Sequence, residues 1–268
     1  MGSIDPKSLA PSLSAQSSSP AHEARLHSRH NLLTNTSGRA PNYLQANLLI
    51  LPSRYAGDFH DLCLRNPVPC PLLGITSAGN PHAVSPKECI RTTADFDIRT
   101  DFPAYRVYEK GKLKASSKPD LLDSWTDEHV GFLIGCSYSF EDALCAAGLQ
   151  PRHQRTGKLV SMYRTNISLL PAGIFTDATF IVSMRPYKPE EIEKVRDVCR
   201  PYLATHGEPV AWGWDGAKAI GVGDIASPDF GDAQLFENGE VPVFWVSFSS
   251  SSSSSSSSLR EVMVRSTV

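Results

Sequence analysis

The chain has 268 residues, 41% of them hydrophobic, and its 26 basic residues nearly balance its 28 acidic ones. This content of apolar residues is enough for a globular core. A net charge of -2, without any block of like charge, excludes the basic surface that nucleic acid or an anionic membrane would require. We therefore expect a small-molecule partner, with no nucleic acid and no membrane, and the composition leaves a homo-oligomer open.

The cysteines and histidines favour an intracellular protein without a metal site. Six cysteines are present, at positions 63, 70, 89, 136, 145 and 199. They form no Cys-x-x-Cys pair and no secretory signal opens the chain, so we interpret them as reduced thiols. None of the eight histidines has a zinc-type spacing, and no segment approaches the roughly 20 apolar residues that span a bilayer.

A cytoplasmic or mitochondrial matrix location is expected from this composition. Residues 1–40 are rich in Ser, Pro and Ala, but they also contain Asp5 and Glu23. Because a mitochondrial transit peptide should be poor in acidic residues, the match is weak. Residues 1–40 are therefore predicted to be a disordered extension.

The first ordered elements are predicted to begin near Tyr43. Asn47–Leu51 is an apolar run of strand length, and the helical spacing of apolar residues in Tyr55–Leu64 predicts a helix. Further along, Tyr105–Tyr108 alternates apolar and polar residues and enters a turn at Glu109–Gly111, which is typical of a hairpin.

Just before that hairpin, Asp97, Arg99 and Asp101 stand at alternate positions. In an extended segment their side chains would share one face. They could form part of a binding site, or they could be an ordinary ion-pair ladder on the surface.

Two helices are predicted around the segment that ends at Glu141. Ser124 or Thr126 can cap a first helix that runs through Phe132–Ile134 and breaks at Gly135. Ser139–Asp142 has the form of a capping box and predicts a second helix that stops at Gly148.

Cys136–Ser139 would then be a junction between two helices, with backbone amides directed at the second helix. Such amides suit an anion or an oxyanion. The alternative is that Ser139 and Glu141 only complete a helix cap.

The rest of the chain predicts one more long helix followed by short strands. Lys188–Ile192 starts this helix, with its apolar face at Ile192, Val195, Cys199 and Leu203. The fold class is therefore α/β with a mixed sheet, in a compact core of two closely packed subdomains. Ten consecutive serines, 249–258, predict a disordered tail. The expected divisions are an extension at 1–40, a catalytic domain at 41–246 and a low-complexity tail at 247–268.

Many short tracts occur in the order found in one known family. They include Gln45–Asn47, Arg65–Pro67, Asp97–Asp101 with Tyr105–Tyr108, Gly135–Glu141, Met162–Asn166, Ser183–Pro186, His206-Gly207, Pro228-Asp229 with Gly231-Asp232, and Pro242–Trp245. Over residues 39–246 the chain resembles the D-glutamate cyclase family of hydro-lyases. The resemblance implies conversion of D-glutamate to 5-oxo-D-proline and water, with no cofactor.

The implied substrate has two carboxylates, and arginine forks match carboxylate geometry. The arginine candidates for substrate binding are Arg99, Arg106, Arg164 and Arg185, each of which could equally be a structural ion-pair partner. Asn166 and Ser139 complete the substrate-binding residues that the resemblance implies.

Glu141 is the first choice for moving the proton, because an apolar neighbourhood would raise its pKa by desolvation. The amides around Cys136–Ser139, with the hydroxyl of Ser137 or Tyr163, would stabilise the oxyanion. A rival hypothesis makes Cys136 a thiolate nucleophile.

One departure from the family pattern keeps two alternatives open. In the family, the Pro-Val-Phe-Trp tract continues as Ala-Cys-Gly-Val-Thr-Pro-Gln, whereas here Trp245 is followed by Val246-Ser-Phe248 and polyserine. The chain could be a catalytically degenerate member that binds a small acid. It could also be a hydro-lyase that dehydrates another small hydroxy acid.

Overall fold

The computed structural model describes residues 19–86, 95–248 and 263–266, the last four as backbone only. Residues 1–18, Cys89 and the ten serines lie outside the described residues. Its helices are α1 (Pro20–Arg29), α2 (Ala56–Arg65), α3 (Glu141–Ala146), α4 (Arg152–Thr156), α5 (Ile192–Cys199) and α6 (Gly213–Ala219). Its strands are β1 (Ala46–Pro52), β2 (Leu72–Thr76), β3 (Val84–Ser85), β4 (Tyr105–Glu109), β5 (Lys112–Lys118), β6 (His129–Gly135), β7 (Ser161–Ser168), β8 (Thr179–Tyr187), β9 (Ala211–Trp212), β10 (Val241–Ser247) and β11 (Met263–Ser266).

The predicted mixed α/β class is confirmed. One sheet has seven strands in the order β3-β2-β6-β1-β11-β4-β5, and a second has four in the order β7-β8-β10-β9. Neighbouring strands are antiparallel in both sheets. Along the described ranges, none of the helices combines the length and the apolar character needed to cross a membrane.

The seven-stranded sheet is buried on both faces at its centre. Leu49 and Leu51 of β1 pack with Phe59 of α2 on one face, while Leu48 and Ile50 pack against the other. Because alternate side chains of a strand point to opposite faces, a continuous apolar run is what a strand buried on both sides requires. The strand predicted at 47–51 and the helix predicted at 55–64 are therefore confirmed.

The helix predicted through Phe132–Ile134 is wrong, because this segment is strand β6. All seven of its residues are buried, and it pairs with β1 from Ala46 opposite Gly135 to Pro52 opposite His129. A short run of apolar residues has no period that separates a buried strand from a buried helix. Pairing with β1 decides the outcome.

The four-stranded sheet has one apolar face and one face that carries polar groups. Tyr163, Val182, Met184 and Phe244 form the apolar face and pack against the residues of and after α6. Arg185 lies on the opposite face. Because the side chains of a strand alternate between its two faces, the other odd-numbered residues of β8 lie there too. This second face lies towards β6 and α3, where the candidate site forms.

Helix α1 lies within the segment that was expected to be a disordered extension. Arg25 and Arg29 of this helix bind Asp101, at 3.0 Å and 2.5 Å. Asp101 is therefore buried under α1, whereas the Arg99 guanidinium binds Asp97 from 2.7 Å. The three residues do not share a face as an extended ladder, because residues 95–104 form turns.

Other predicted elements match the structure with small differences. The hairpin at 105–111 is confirmed by β4 and β5, which are joined by Lys110 and Gly111 in left-handed backbone conformations. The late helix is also confirmed, with Ile192 and Val195 buried, but Leu203 is 74% exposed and does not belong to its apolar face. Past the predicted domain limit, Ser247 still belongs to β10, and β11 lies between β1 and β4.

Gly135 is a position where an added methyl group should disturb the fold directly. A Cβ at Gly135 would lie 2.1 Å from the carbonyl oxygen of Ala204, whereas a Cβ at Gly57 would meet nothing within 4 Å. We expect Gly135→Ala to lower the free energy of unfolding by roughly 1–3 kcal/mol, because backbone must move to make room. Gly57→Ala is the matched control and should keep or slightly raise stability. Denaturant unfolding measures both, and equal stability of the two variants would contradict the prediction.

Candidate active site

The segment before Glu141 is a turn between a strand and a helix. β6 ends at Gly135, and a 3-10 turn at Ser137–Phe140 leads directly into α3. The predicted helix-to-helix junction is therefore wrong, and so is the capping box, because no side chain caps α3. Ser139 instead binds the backbone of Gln45, accepting from its N–H at 2.7 Å and donating to its carbonyl at 3.3 Å. These bonds hold the turn against the start of β1.

Glu141 is the centre of the site, with a fully buried carboxylate. Its Oε1 accepts from Arg185 Nη2 at 2.6 Å and from Arg185 Nε at 3.2 Å. The same oxygen lies 3.0 Å from His153 Nε2, in a bent contact. Its Oε2 accepts from Ser37 Oγ at 2.7 Å and from Gln154 Nε2 at 2.8 Å. Five contacts therefore occupy both oxygens.

These contacts make Glu141 a permanent anion. Burial raises its pKa, but Arg185 and His153 lower it by more, and the resulting pKa is about 2. The expectation that desolvation would raise the pKa of Glu141 is therefore wrong. A carboxyl group with this pKa holds no proton near neutral pH and has no oxygen left for a substrate, so it cannot be the proton carrier that the sequence suggested.

Arg185 joins the two sheets at this point. It projects from β8 and donates to Ser137 Oγ and to Ser183 Oγ, each at 3.1 Å, in addition to Glu141. The rings of Phe140 and Trp245 flank its guanidinium, with 5.2 Å to each centroid. Its side chain is completely buried. The guanidinium of Arg185 is therefore bound to other residues of the protein, and it holds the turn in position.

Two buried histidines border the cluster, and each keeps a ring nitrogen without a partner among the described residues. In His153, Nδ1 has no hydrogen-bond partner in the described part of the chain and Nε2 has only the bent contact with Glu141, while in His206 the unpartnered nitrogen is Nε2. The His153 ring lies nearly parallel to that of Tyr138, with centroids 6.1 Å apart. His206 is held through Nδ1, 2.9 Å from the carbonyl oxygen of Val68. Burial lowers the pKa of His206 to about 4, with a further contribution from Arg185, so its ring is neutral.

The chemistry of Cys136 argues against a thiolate nucleophile. Its thiol packs in an apolar cluster with Tyr138, Val160 and Met162. Burial raises the pKa of Cys136 to about 12, and the charge of Glu141 adds to the effect. The group is therefore a neutral thiol. In the part of the chain that the structure describes, no disulfide forms between the cysteines at 63, 70, 136, 145 and 199.

Strand β7 divides the candidates of the Met162–Asn166 tract between two faces. Arg164 lies with Met162 on one side of the strand, whereas the side-chain amide of Asn166 donates to the carbonyl of Ala219, at the end of α6, at 3.3 Å. Arg164 is 52% exposed, lies 3.4 Å from Asp229 and stacks over the ring of Phe230. Tyr163 points to the opposite face, where its hydroxyl donates to the carbonyl of Ile225 at 2.7 Å. The structure therefore does not bring Tyr163 to Glu141.

The remaining two arginines belong to another part of the molecule. Arg99 lies in the turns before β4 and binds Asp97, while Arg106 is exposed on β4. Among the four arginine candidates, Arg185 is the one that contacts Glu141 within the described ranges. Ser137, Ser139 and Cys136 are brought to the same turn as Glu141, as predicted.

The sequence reasoning did not place four residues beside the Glu141–Arg185 pair: Ser37, His153, Gln154 and Ser183. Ser183 lies in one of the family-like tracts, so a signal for it existed. Ser37 lies in the segment predicted to be disordered, and α4 carries His153 and Gln154 without any recognisable motif. Over the described residues, no group of three or more His, Cys, Asp or Glu side chains could hold a metal ion.

Fold and site together define a mixed α/β protein with a buried acid–guanidinium cluster between two antiparallel sheets. Comparison with known proteins identifies its family. A model of the D-glutamate cyclase family matches residues 130–266, and the chain belongs to this family.

Three relatives, one fungal and two bacterial, carry the name "Putative hydro-lyase", which supports assignment to the lyases. A protein of Schizosaccharomyces pombe is 48% identical over 236 residues, which is 88% of this chain and 77% of the relative. One from Rubrobacter xylanophilus is 48% identical over 211 residues, covering 78% and 77% of the two chains. A Bradyrhizobium protein is 44% identical over 226 residues, covering 84% and 79%.

Glu141 should make the stability of the protein sensitive to acid. Its folded pKa of about 2 lies below the ordinary value of 4.5. Its contribution, about 3 kcal/mol, is therefore complete above pH 4.5 and is lost as the pH falls towards 2. We expect Glu141→Gln to be less stable than the wild type at pH 7 by about 3–5 kcal/mol, because Arg185 loses its buried counter-charge.

Urea unfolding between pH 7 and pH 2.5 measures both effects. The wild type should lose more stability on acidification than Glu141→Gln does. Glu193→Gln is the matched control, since that carboxylate is 73% exposed, and it should follow the wild-type curve. Parallel pH curves for the wild type and Glu141→Gln would contradict the assignment.

Proposed function

We propose that the protein catalyses the cyclisation of D-glutamate to 5-oxo-D-proline with loss of water. Family membership supports a lyase of this kind. The observation that carries the specific reaction is convergence: three separated tracts, Gly135–Glu141, Met162–Asn166 and Ser183–Pro186, meet at one face of the four-stranded sheet. A site for a small dicarboxylic acid needs groups of these types in one place.

Strand register supports this convergence. Met162 stands opposite Ser183, and Ser183 stands opposite Trp245, so the three form one row across the sheet. Met162 also packs against the turn, beside Cys136. Arg185 is two residues from this row on one side, and Arg164 is two residues from it on the other. The two arginines are therefore about 13 Å apart along the strand direction.

The two arginines suit different tasks. Arg164 is half exposed and can exchange Asp229 for a substrate carboxylate. Arg185 is occupied and maintains the turn. The exposed guanidinium of Arg164 would hold a carboxylate of the substrate, and the buried residues around Arg185 would keep the turn in position. Holding reacting groups in the right geometry can lower the activation free energy by on the order of 7 to 11 kcal/mol.

The reaction itself balances without a cofactor. The amino nitrogen of D-glutamate attacks the carbon of its side-chain carboxyl group, and one carboxyl oxygen leaves as water. Two protons pass from nitrogen to that oxygen, one before the attack and one after it. The site must therefore contain a group that can accept a proton and return it.

A second candidate function is binding of a small acid without turnover. The observation that favours it is the replacement of the family's Ala-Cys-Gly by Val246-Ser-Phe248. Ser247 lies on the site face of β10 and donates to the sulfur of Met162 at 3.7 Å. The altered segment is therefore adjacent to the proposed site, and a loss of activity could follow from it.

Turnover separates the two functions. Purified full-length protein is incubated with D-glutamate, and 5-oxo-D-proline is measured by chiral chromatography, with L-glutamate as the stereochemical control. We expect the D-product to form in proportion to enzyme. Calorimetric binding of D-glutamate without product would instead support the degenerate binding protein. Dehydration of hydroxy acids, followed as a new alkene or keto acid, would support the broader hydro-lyase alternative.

Arg164→Ala should lower kcat/KM for D-glutamate by about 10- to 100-fold, mainly through KM, because a charge-assisted bond to a carboxylate is worth about 1.5–3 kcal/mol. Arg200→Ala is the matched control. Arg200 is 55% exposed and also pairs with carboxylates, but it lies just after α5, and its loss should leave the kinetics unchanged. Equal kinetics for the two variants would remove Arg164 from the site.

A further inference from the structure

We infer that His153 is the group that carries protons in this reaction, and that Glu141 is its positioning residue. The inference rests on the proposed function and assigns the proton transfer that Glu141 cannot perform. It starts from one geometric fact: the His153 ring lies between a carboxylate and an aromatic ring, with Nε2 in a bent contact with the carboxylate and Nδ1 without any partner among the described residues. The contact with Glu141 is made through Nε2, which leaves Nδ1 free to accept a proton.

An unsatisfied buried nitrogen is costly. His153 is only 2% exposed, and its Nδ1 has no partner among the described residues. A buried polar group left unpaired costs about 1–3 kcal/mol. Such groups are uncommon in native structures and are found where a site needs a free acceptor. The Glu141 carboxylate favours the tautomer with the proton on Nε2, which directs the lone pair of Nδ1 away from the carboxylate.

His206 is the natural competitor, and the charges around it decide against it. Burial opposes protonation of its ring, and the charge of Arg185 adds to the effect. His153 is equally buried, but its ring contacts a carboxylate, 3.0 Å away. The two rings therefore differ in their neighbours, because His153 contacts an anion and His206 is influenced by a cation. His206 is therefore suited to accept a hydrogen bond and not to move a proton.

The cluster around Glu141 approaches the surface at Ser37 and Gln154. Ser37 and Gln154 cover the Oε2 side of Glu141, and they bind each other at 3.2 Å. Both are only partly buried, and Gly38 and Arg39 beside them are exposed. His153 and Gln154 belong to α4, a helix of five residues at the surface. Displacement of the Ser37 segment would bring a small substrate to the ring without opening either sheet.

The proton steps balance with a single imidazole. Nδ1 of His153 takes one proton from the substrate ammonium group, which frees the lone pair of the nitrogen for attack. The imidazolium then returns this proton to the carboxyl oxygen of the tetrahedral intermediate. The second nitrogen-bound proton follows the same route, the C–O bond breaks, and water leaves. The histidine ends in the state in which it began, and Glu141 remains ionised throughout.

The experiment compares three histidine variants in the D-glutamate assay. We expect kcat to fall by about 10²- to 10⁴-fold in His153→Ala and in the volume-conserving His153→Gln, with little change in KM. Added imidazole should partly restore kcat in His153→Ala, where the deleted ring leaves space. His60→Gln is the matched control, because His60 is an exposed residue of α2, and its kinetics should equal those of the wild type.

The outcomes separate the two levels of the proposal. A wild type that makes no 5-oxo-D-proline overturns the proposed function and this inference with it. An active wild type together with folded His153 variants of normal kcat overturns this inference alone. Loss of kcat with imidazole rescue supports it, since a merely structural role would not be rescued by free imidazole.

The positioning role of Glu141 has a readout that needs no turnover. Nitrogen-15 NMR of the histidine rings should show wild-type His153 as the tautomer with the proton on Nε2. Glu141→Asp should keep this tautomer in part, and Glu141→Gln should shift it towards a mixture. A wild-type His153 with its proton on Nδ1 would overturn the assignment, even if the His153 variants failed to fold.

Discussion

The ion pair between Glu141 and Arg185 is the interaction on which the rest of the structure depends. Both side chains are completely buried, and removing two such charges from water costs several kcal/mol for each ion. The cost is offset because both ions have several polar partners: two serines accept from the arginine, and a serine, a glutamine and a histidine contact the carboxylate. The pair therefore determines where these side chains stand.

The same pair connects parts of the chain that are far apart in sequence. Glu141 begins α3 directly after the central strand β6, while Arg185 belongs to the second strand of the other sheet. Ser37 comes from the segment before β1, and His153 comes from α4. A contact that needs all of these segments at once can form only when both sheets are in place, so the site and the packing of the sheets are one structural unit.

This arrangement changes the chemical role of the conspicuous acid. Glu141 was attractive as a proton carrier because it follows an apolar strand, and desolvation does act on it. The opposing interactions are larger, so the residue is a fixed anion that orients its neighbours. The free proton acceptor is then one step further out, at His153. In this view the turn at Cys136–Glu141 builds the site, and the buried His153 of α4 and the exposed Arg164 of β7 meet the substrate.

Much of the fold could be predicted where a local pattern has one interpretation. The apolar run of β1, the helical spacing in α2 and α5, and the hairpin of β4 and β5 were all correctly predicted for this reason. β6 was predicted as a helix because a short, wholly apolar segment has no period, and only its partner β1 distinguishes the two. The helix α1 was missed because its stability comes from Asp101, about seventy residues away along the chain.

By itself the sequence determined the family, because many short tracts in the right order identify it. The sequence also determined that Cys136, Ser137, Ser139 and Glu141 share one turn, because these residues are neighbours in the chain. Only the tertiary structure decided which of four arginines reaches Glu141, which face of β7 carries Tyr163, and whether Glu141 is an acid or an anion. The physical reason is that a pKa and an ion pair depend on distances of a few ångströms in space. Those distances are set by the packing of the two sheets and not by spacing along the chain.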